Sequence, residues 1–131
     1  WSSDVCSSDL LIICGATGWK SQNFFKKLNN HPFRNDIELK GYVPKEELKE
    51  LYKTTAAFVY PSLYEGFGFP VAEALNCNAT CFVSNTSSLP EVGGDSVFYF
   101  NPIQRKSFLH FLLLQPQKVC LPRINAIMLS Q

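Results

Sequence analysis

The stretch Thr54–Asn76, TTAAFVYPSLYEGFGFPVAEALN, decides the fold. Its first seven residues carry no charge and are rich in β-branched and aromatic side chains, the composition of a strand covered on both faces. Pro61 ends that strand, because proline has no N–H to give to a sheet. Gly66 and Gly68 mark a tight turn, and Pro70 stands at the first position of a helix that runs through Asn76. A buried strand, a glycine-rich loop and a helix in that order form half of a βαβ unit.

The same alternation extends outward. Leu11–Gly15 (LIICG), Ile37–Tyr42 (IELKGY), Thr80–Ser84 (TCFVS) and Ser96–Phe100 (SVFYF) read as strands. Ser21–Asn29 has Phe24, Phe25 and Leu28 at helical spacing. Pro44 starts a helix over Lys45–Lys53, with Leu48, Leu51 and Tyr52 inward and Glu46 within reach of Lys49. Leu89–Val92 reads as a short helix with Pro90 near its start. Strands and helices that alternate through short loops require a parallel sheet. The expected fold is α/β, a Rossmann-like parallel sheet of about five strands with flanking helices. Ligands of such sheets lie beyond the C-terminal strand ends, here the loops after Gly15, Tyr42, Tyr60 and Ser84.

The chain has 131 residues, enough for one domain, and 46% apolar with 18% charged residues is ordinary globular material. A formal net charge of +1 implies no strong field for nucleic acid or acidic lipid. Membrane association is not indicated, since no apolar run reaches the roughly 18 residues of a span; Phe108–Leu114 is the longest and contains His110. The five cysteines, Cys6, Cys14, Cys77, Cys81 and Cys120, are odd in number and irregular in spacing. They read as reduced thiols of a cytoplasmic protein, with neither a disulfide framework nor a zinc site.

Both ends stand apart from the domain, which is placed at residues 11–102. Trp1–Leu10 reads as a non-native tail: back-translated, it resembles a common DNA-sequencing adapter. Leu11–Asp95 carries nine acidic residues and Ser96–Gln131 none, so 103–131 is set aside as a tail of uncertain origin. A shift of reading frame after Pro102 and a genuine buried or partner-facing helix account for it equally well.

The loop after Tyr60 concentrates the chemistry. Glycines at 66 and 68 allow close approach of a ligand to the backbone and permit positive φ. The helix that follows turns its free N–H groups and positive dipole end toward the ligand edge, which suits a phosphate. Glu65 and Glu73 flank the glycines, and carboxylates accept hydrogen bonds from pairs of sugar hydroxyls. A plain structural reading stays open beside this one, in which the glycines only make a turn and Glu73 only complements the helix N-terminus.

These residues resemble a known family. Glu65-Gly-Phe-Gly-Phe-Pro-Val-Ala-Glu73 resembles the E-x7-E motif of retaining glycosyltransferases with the GT-B fold (glycosyltransferase family 4, group 1 type), a family that includes sucrose synthase and many bacterial mannosyl- and glucosyltransferases. Gly41-Tyr-Val-Pro-Lys-Glu-Glu-Leu48 looks like the family's G-x-V-x-x-x-E-L segment, and Ser84-Asn-Thr-Ser-Ser-Leu-Pro-Glu-Val92 like its segment ending in P-E-V. The resemblance covers Leu11–Pro102 in order and implies the C-terminal, donor-binding half of a GT-B fold.

The resemblance further implies roles. Glu65, the catalytic candidate, would contact hydroxyls of the transferred sugar, and Gly66, Phe67, Gly68 and Phe69 would line sugar and diphosphate through their backbone N–H groups. Glu73 would hold the ribose, Tyr42 and Val43 would border the base, and Glu91 would support the loop. The donor would be a UDP- or GDP-hexose, with no cofactor and no metal, and the sequence has no Asp-x-Asp motif. The family's basic pair on the diphosphate and its N-terminal acceptor domain, with a catalytic histidine, have no counterpart here: Lys20 is too late for the former, and His31 and His110 do not match the latter. The isolated chain is therefore expected to be inactive and to need the missing acceptor domain as partner, in the cytoplasm or at the inner face of a membrane. A non-catalytic nucleotide-sugar binding module is the alternative function, and an epimerase or phosphorylase on a similar fold a third.

Overall fold

The computed structural model describes residues 11–15, 22–104 and 126–129. The N-terminal tail, Lys20, Cys6, Cys120 and the apolar run with His110 lie outside the described residues. In chain order the elements are β1 (Leu11–Cys14), α1 (Gln22–Asn29), a 3-10 turn (Arg34–Asp36), β2 (Ile37–Gly41), α2 (Lys45–Thr54), β3 (Ala57–Tyr60), α3 (Phe69–Asn76), β4 (Cys81–Ser84), α4 (Leu89–Gly93), β5 (Phe98–Phe100) and β6 (Ala126–Leu129). They form a six-stranded sheet in the order β2-β1-β6-β3-β4-β5. Every pairing is parallel. The fold is the expected Rossmann-like α/β arrangement.

Beyond shifts of one or two residues at element ends, such as the start of β5 at Phe98 rather than Ser96, two details differ from the sequence reading. Thr54 and Thr55 belong to the end of α2 rather than to β3. Thr54 Oγ1 donates to the Glu50 carbonyl at 2.8 Å, and the Thr55 N–H closes the helix on the Leu51 carbonyl at 2.9 Å. Threonine hydroxyls can satisfy helix carbonyls locally, and that wins here over strand propensity. The other difference is β6, which contributes a sixth strand from the segment set apart as a tail. It lies between β1 and β3, with Ile127 opposite both Ile12 and Phe58.

Strand periodicity sorts the core into two sides. Phe58 and Tyr60 of β3 and Cys81 and Val83 of β4 face Tyr52 of α2, Val71 and Ala74 of α3 and Leu89 of α4. Ala57, Val59 and Phe82 face the other way, together with Phe100. Alternate residues of β3 and β4 are thus buried on opposite faces, which is why both strands read as unbroken apolar runs.

Burial leaves a pH signature. The Cys81 thiol is pushed up to about 12 by desolvation, and Cys14 and Tyr52 are raised chiefly by the same cause. The Tyr52 hydroxyl is buried without a hydrogen-bond partner among the described residues. In the unfolded chain a thiol ionises near about 8.5. Above that pH the unfolded state releases protons that the folded state keeps, so stability falls as pH rises toward the folded values. The unfolding free energy from urea titrations is expected to be flat from about pH 7 to 8 and to decline by about pH 10, by up to roughly 1.4 kcal/mol per pH unit for each buried thiol. Cys81→Ala should make the decline shallower; an unchanged slope would remove Cys81 as a contributor.

Candidate functional site

At the C-terminal edge of the sheet β3 ends in Tyr60, and the loop 61–68 carries the chain across to α3. Because β3 and β4 are adjacent and parallel, the loops that follow them emerge side by side. The hydroxyls of the second loop stitch the first in place. Ser84 Oγ donates to the Tyr60 carbonyl at 3.2 Å, and Thr86 Oγ1 to the Ser62 carbonyl at 3.0 Å. Ser87 Oγ and Ser88 Oγ both donate to the Glu65 carbonyl, at 2.6 and 3.0 Å.

Glu65 is held at its side chain as well. It is only 9% exposed, and its Oε1 accepts a 2.5 Å hydrogen bond from the hydroxyl of buried Tyr60. A buried carboxylate is costly without such a donor. A glutamate in a solvent loop would normally be free, so this one is fixed in both backbone and side chain.

Gly68 sets the turn into α3. It is the residue before the helix and adopts φ +92°, and its carbonyl accepts from the Val71 N–H at 3.0 Å. A Cβ at this position would stand 2.7 Å from Leu89 Cδ2, so both conformation and space require glycine. Gly66 differs: it is not among the glycines of positive φ, and a Cβ there would meet none of the described residues within 4 Å. Its smallness therefore serves nothing within the described fold. Phe69 is the first helical residue and Pro70 the second, one position later than expected and still in the first turn, where proline costs no hydrogen bond.

Phe67 and Phe69 do not pack into the core. Both are exposed and rest on each other with ring centroids 4.7 Å apart. Leu63, Tyr64 and Tyr42 are also exposed, Tyr42 at 86%. Tyr42 follows Gly41, whose φ of +64° turns the chain out of β2 and whose carbonyl accepts from Gly15 N–H at 2.8 Å. Val43 turns inward against the core.

Glu73 lies on α3 on the side toward α2, with its Oε1 3.8 Å from Lys45 Nζ. Lys45 begins α2, two residues after Val43. Glu73 is thereby brought beside the loop that carries Tyr42 and Val43, and Glu65 through Phe69 form one continuous rim. Glu91 is exposed on α4, and the loop's supports are the serine and threonine hydroxyls upstream of it. Tyr60, Thr86, Ser87 and Ser88 escaped the sequence reading. The available signal was a run of hydroxyl residues at the end of one strand and a glutamate five residues after a tyrosine that ends the strand before it.

Among the described residues no group of three or more His, Cys, Asp or Glu side chains could hold a metal ion. No helix of the described residues is long and apolar enough to cross a membrane.

Comparison with known proteins gives the chain a family. The chain is 41% identical over 92 residues to O-antigen chain mannosyltransferase B of Escherichia coli, covering 70% of the chain and 24% of that protein. It is 33% identical over 108 residues to O-antigen chain mannosyltransferase RfbU of Salmonella typhimurium, covering 82% of the chain and 30% of that protein. It is also 39% identical over 74 residues to sucrose synthase 6 of Oryza sativa, covering 52% of the chain and 9% of that protein. The chain thus spans less than a third of the length of these relatives. The family described as glycosyl transferases group 1 matches residues 8–108, a span that contains the stitched loop, Gly68 and both glutamates, and the chain belongs to that family.

Proposed function

We propose that this chain is the donor-binding part of a retaining hexosyltransferase, and that the sugar it holds is mannose attached to a nucleoside diphosphate. The observation that carries the reading is the fixed Glu65 at the C-terminal edge of the sheet, directly before the turn at Gly68 that starts α3. Two of the relatives are named as mannosyltransferases, which supports mannose as the transferred group.

In this reading Glu65 accepts hydrogen bonds from hydroxyls of the hexose, and the N–H groups of Gly66, Phe67, Gly68 and Phe69 face the sugar and diphosphate. The open space at Gly66 lets the ligand approach the backbone. The positive end of α3 stabilises the diphosphate as it leaves, and it does so without reorganisation because the turn is already set. Glu73 takes the two ribose hydroxyls. Its contact with Lys45 is long and both side chains are substantially exposed, so the ribose displaces a weak ion pair. Tyr42 and Val43 border the base through main-chain atoms, and the base is uracil or guanine. The acceptor site and the groups that complete transfer belong to the rest of the protein, which works in the cytoplasm or on the inner face of a membrane. The isolated chain binds donor without turning it over, and needs no nucleic-acid partner.

Calorimetric titration with GDP, UDP and their hexose conjugates tests the reading. Binding of at least one nucleoside diphosphate is expected. Glu73→Ala should weaken it by about 1–3 kcal/mol through the lost hydrogen bonds. Unchanged affinity in that variant removes Glu73 from the ribose, and a chain that binds none of these ligands overturns the reading as a whole.

A further inference from the structure

Tyr60 is the last residue of β3 and one of the largest fully buried side chains of the molecule. A phenol is amphipathic: its ring belongs in the core, and its hydroxyl requires a partner there. The ring of Tyr60 stacks near that of Phe58, with centroids 5.8 Å apart. Its hydroxyl reaches past the loop residues 61–64 to the carboxylate of Glu65. The strand end and the glutamate five residues on are therefore linked twice, through the chain and through this bond.

The backbone of Glu65 is already fixed by Ser87 and Ser88, both of which bond its carbonyl. Those bonds leave the side-chain torsions undetermined. The tyrosine hydroxyl supplies what they do not. Its own position is rigid, because the ring is buried and the Tyr60 carbonyl accepts from Ser84. A rigid donor on a carboxylate oxygen restricts the carboxylate to one orientation and does so before any ligand arrives.

We infer that Tyr60 is a positioning residue for the sugar subsite: its hydroxyl preorganises the Glu65 carboxylate for the hexose hydroxyls, without itself touching the donor. The inference rests on the proposed role of Glu65 and adds the residue that sets its geometry. It predicts a division of labour along the donor. The nucleotide is held by Glu73 and the loop of Tyr42 and Val43, and the sugar by the glutamate to which the Tyr60 hydroxyl donates.

The test is the ratio of affinities for a nucleoside diphosphate and its hexose conjugate, measured on the full chain. In the unaltered protein the conjugate is expected to bind more tightly than the bare nucleotide. Tyr60→Phe keeps the ring and its packing and removes only the hydroxyl. It should leave nucleotide affinity within about twofold and reduce the sugar's additional contribution roughly tenfold, the scale of a lost hydrogen bond to a charged group. Glu65→Gln should lose the same contribution, and the double variant should lose no more than either single one. A general loosening of the fold would lower both affinities together, so nucleotide binding reports on folding within the same titration. A Tyr60→Phe protein that retains the full preference for the conjugate overturns the inference, as does full additivity in the double variant. Failure of the unaltered protein to bind any of these ligands instead overturns the donor-binding reading on which it rests.

Discussion

Gly68→Ala is expected to destabilise the chain by about 3 kcal/mol, while Gly66→Ala, two residues away, leaves stability within about 0.5 kcal/mol. Two costs add at Gly68. The backbone sits at φ +92°, where an L-residue is strained by roughly 1–2 kcal/mol. The new methyl would also stand 2.7 Å from Leu89 Cδ2. Leu89 is fully buried and part of the main core, so it has little room to retreat. Gly66 has neither constraint. The pair therefore separates two reasons for a glycine in one loop. Urea unfolding of the two variants checks the stability claim, and equal midpoints would contradict it. Titration with nucleotide-sugar checks the rest: Gly66→Ala should fold as the unaltered chain does and bind the conjugate more weakly, because its methyl projects into space left for a ligand.

Phe58→Ala carries the other large effect, about 3–5 kcal/mol. Phe58 is completely buried in the middle of β3, edge-on to Tyr52 at 5.1 Å and stacked near Tyr60 at 5.8 Å. Removing the ring loses its transfer energy, opens a cavity between α2 and the sheet and withdraws the neighbour that orients Tyr60. Small domains have about 5–15 kcal/mol of stability in all, so the variant should be largely unfolded at moderate urea. Phe58→Leu, which fills most of the volume, should recover more than half of the loss. If the alanine variant unfolds with the unaltered midpoint, the packing of this side of the sheet is misassigned.

The fold was legible where one residue type settles a local question. The uncharged runs at Leu11–Cys14 and Ala57–Tyr60 are each closed by a turn residue, Gly15 and Pro61, which marks them as short covered strands, and Pro44 and Pro70 each mark a helix start within one residue. The boundary at Thr54 was not legible, because a β-branched residue with a hydroxyl suits both a strand and the last turn of a helix, and only the Glu50 carbonyl decides. The strand Ala126–Leu129 was missed because four apolar residues have no period of their own to read, and their place between β1 and β3 depends on pairing across more than sixty residues of chain.

The candidate site divides in the same way. Glu65, Gly68 and Glu73 stand in one local pattern and could be picked out directly. Phe67 and Phe69 could not be assigned to core or surface from sequence, since an aromatic residue next to glycine serves either; their exposure is decided by where α3 meets the sheet edge. The clamp of Ser87 and Ser88 on the Glu65 carbonyl spans 22 and 23 residues. It exists because β3 and β4 are neighbours, which is knowledge of strand order and not of any residue.

The placement of β6 has a consequence for the order of assembly. Among the described strands β1 and β2 form one pair and β3, β4 and β5 another group, and only β6 bonds to both. It is also the last of the described strands in the chain. As the polypeptide leaves the ribosome, the two groups can each form early, but the hydrogen bonds that join them wait until β6 arrives. Closure is thus deferred to the most sequence-distant contact, the kind that slows folding. Until then the facing edges of β1 and β3 are exposed templates for any extended chain nearby, which makes the nascent protein's hazard one of timing rather than of final stability.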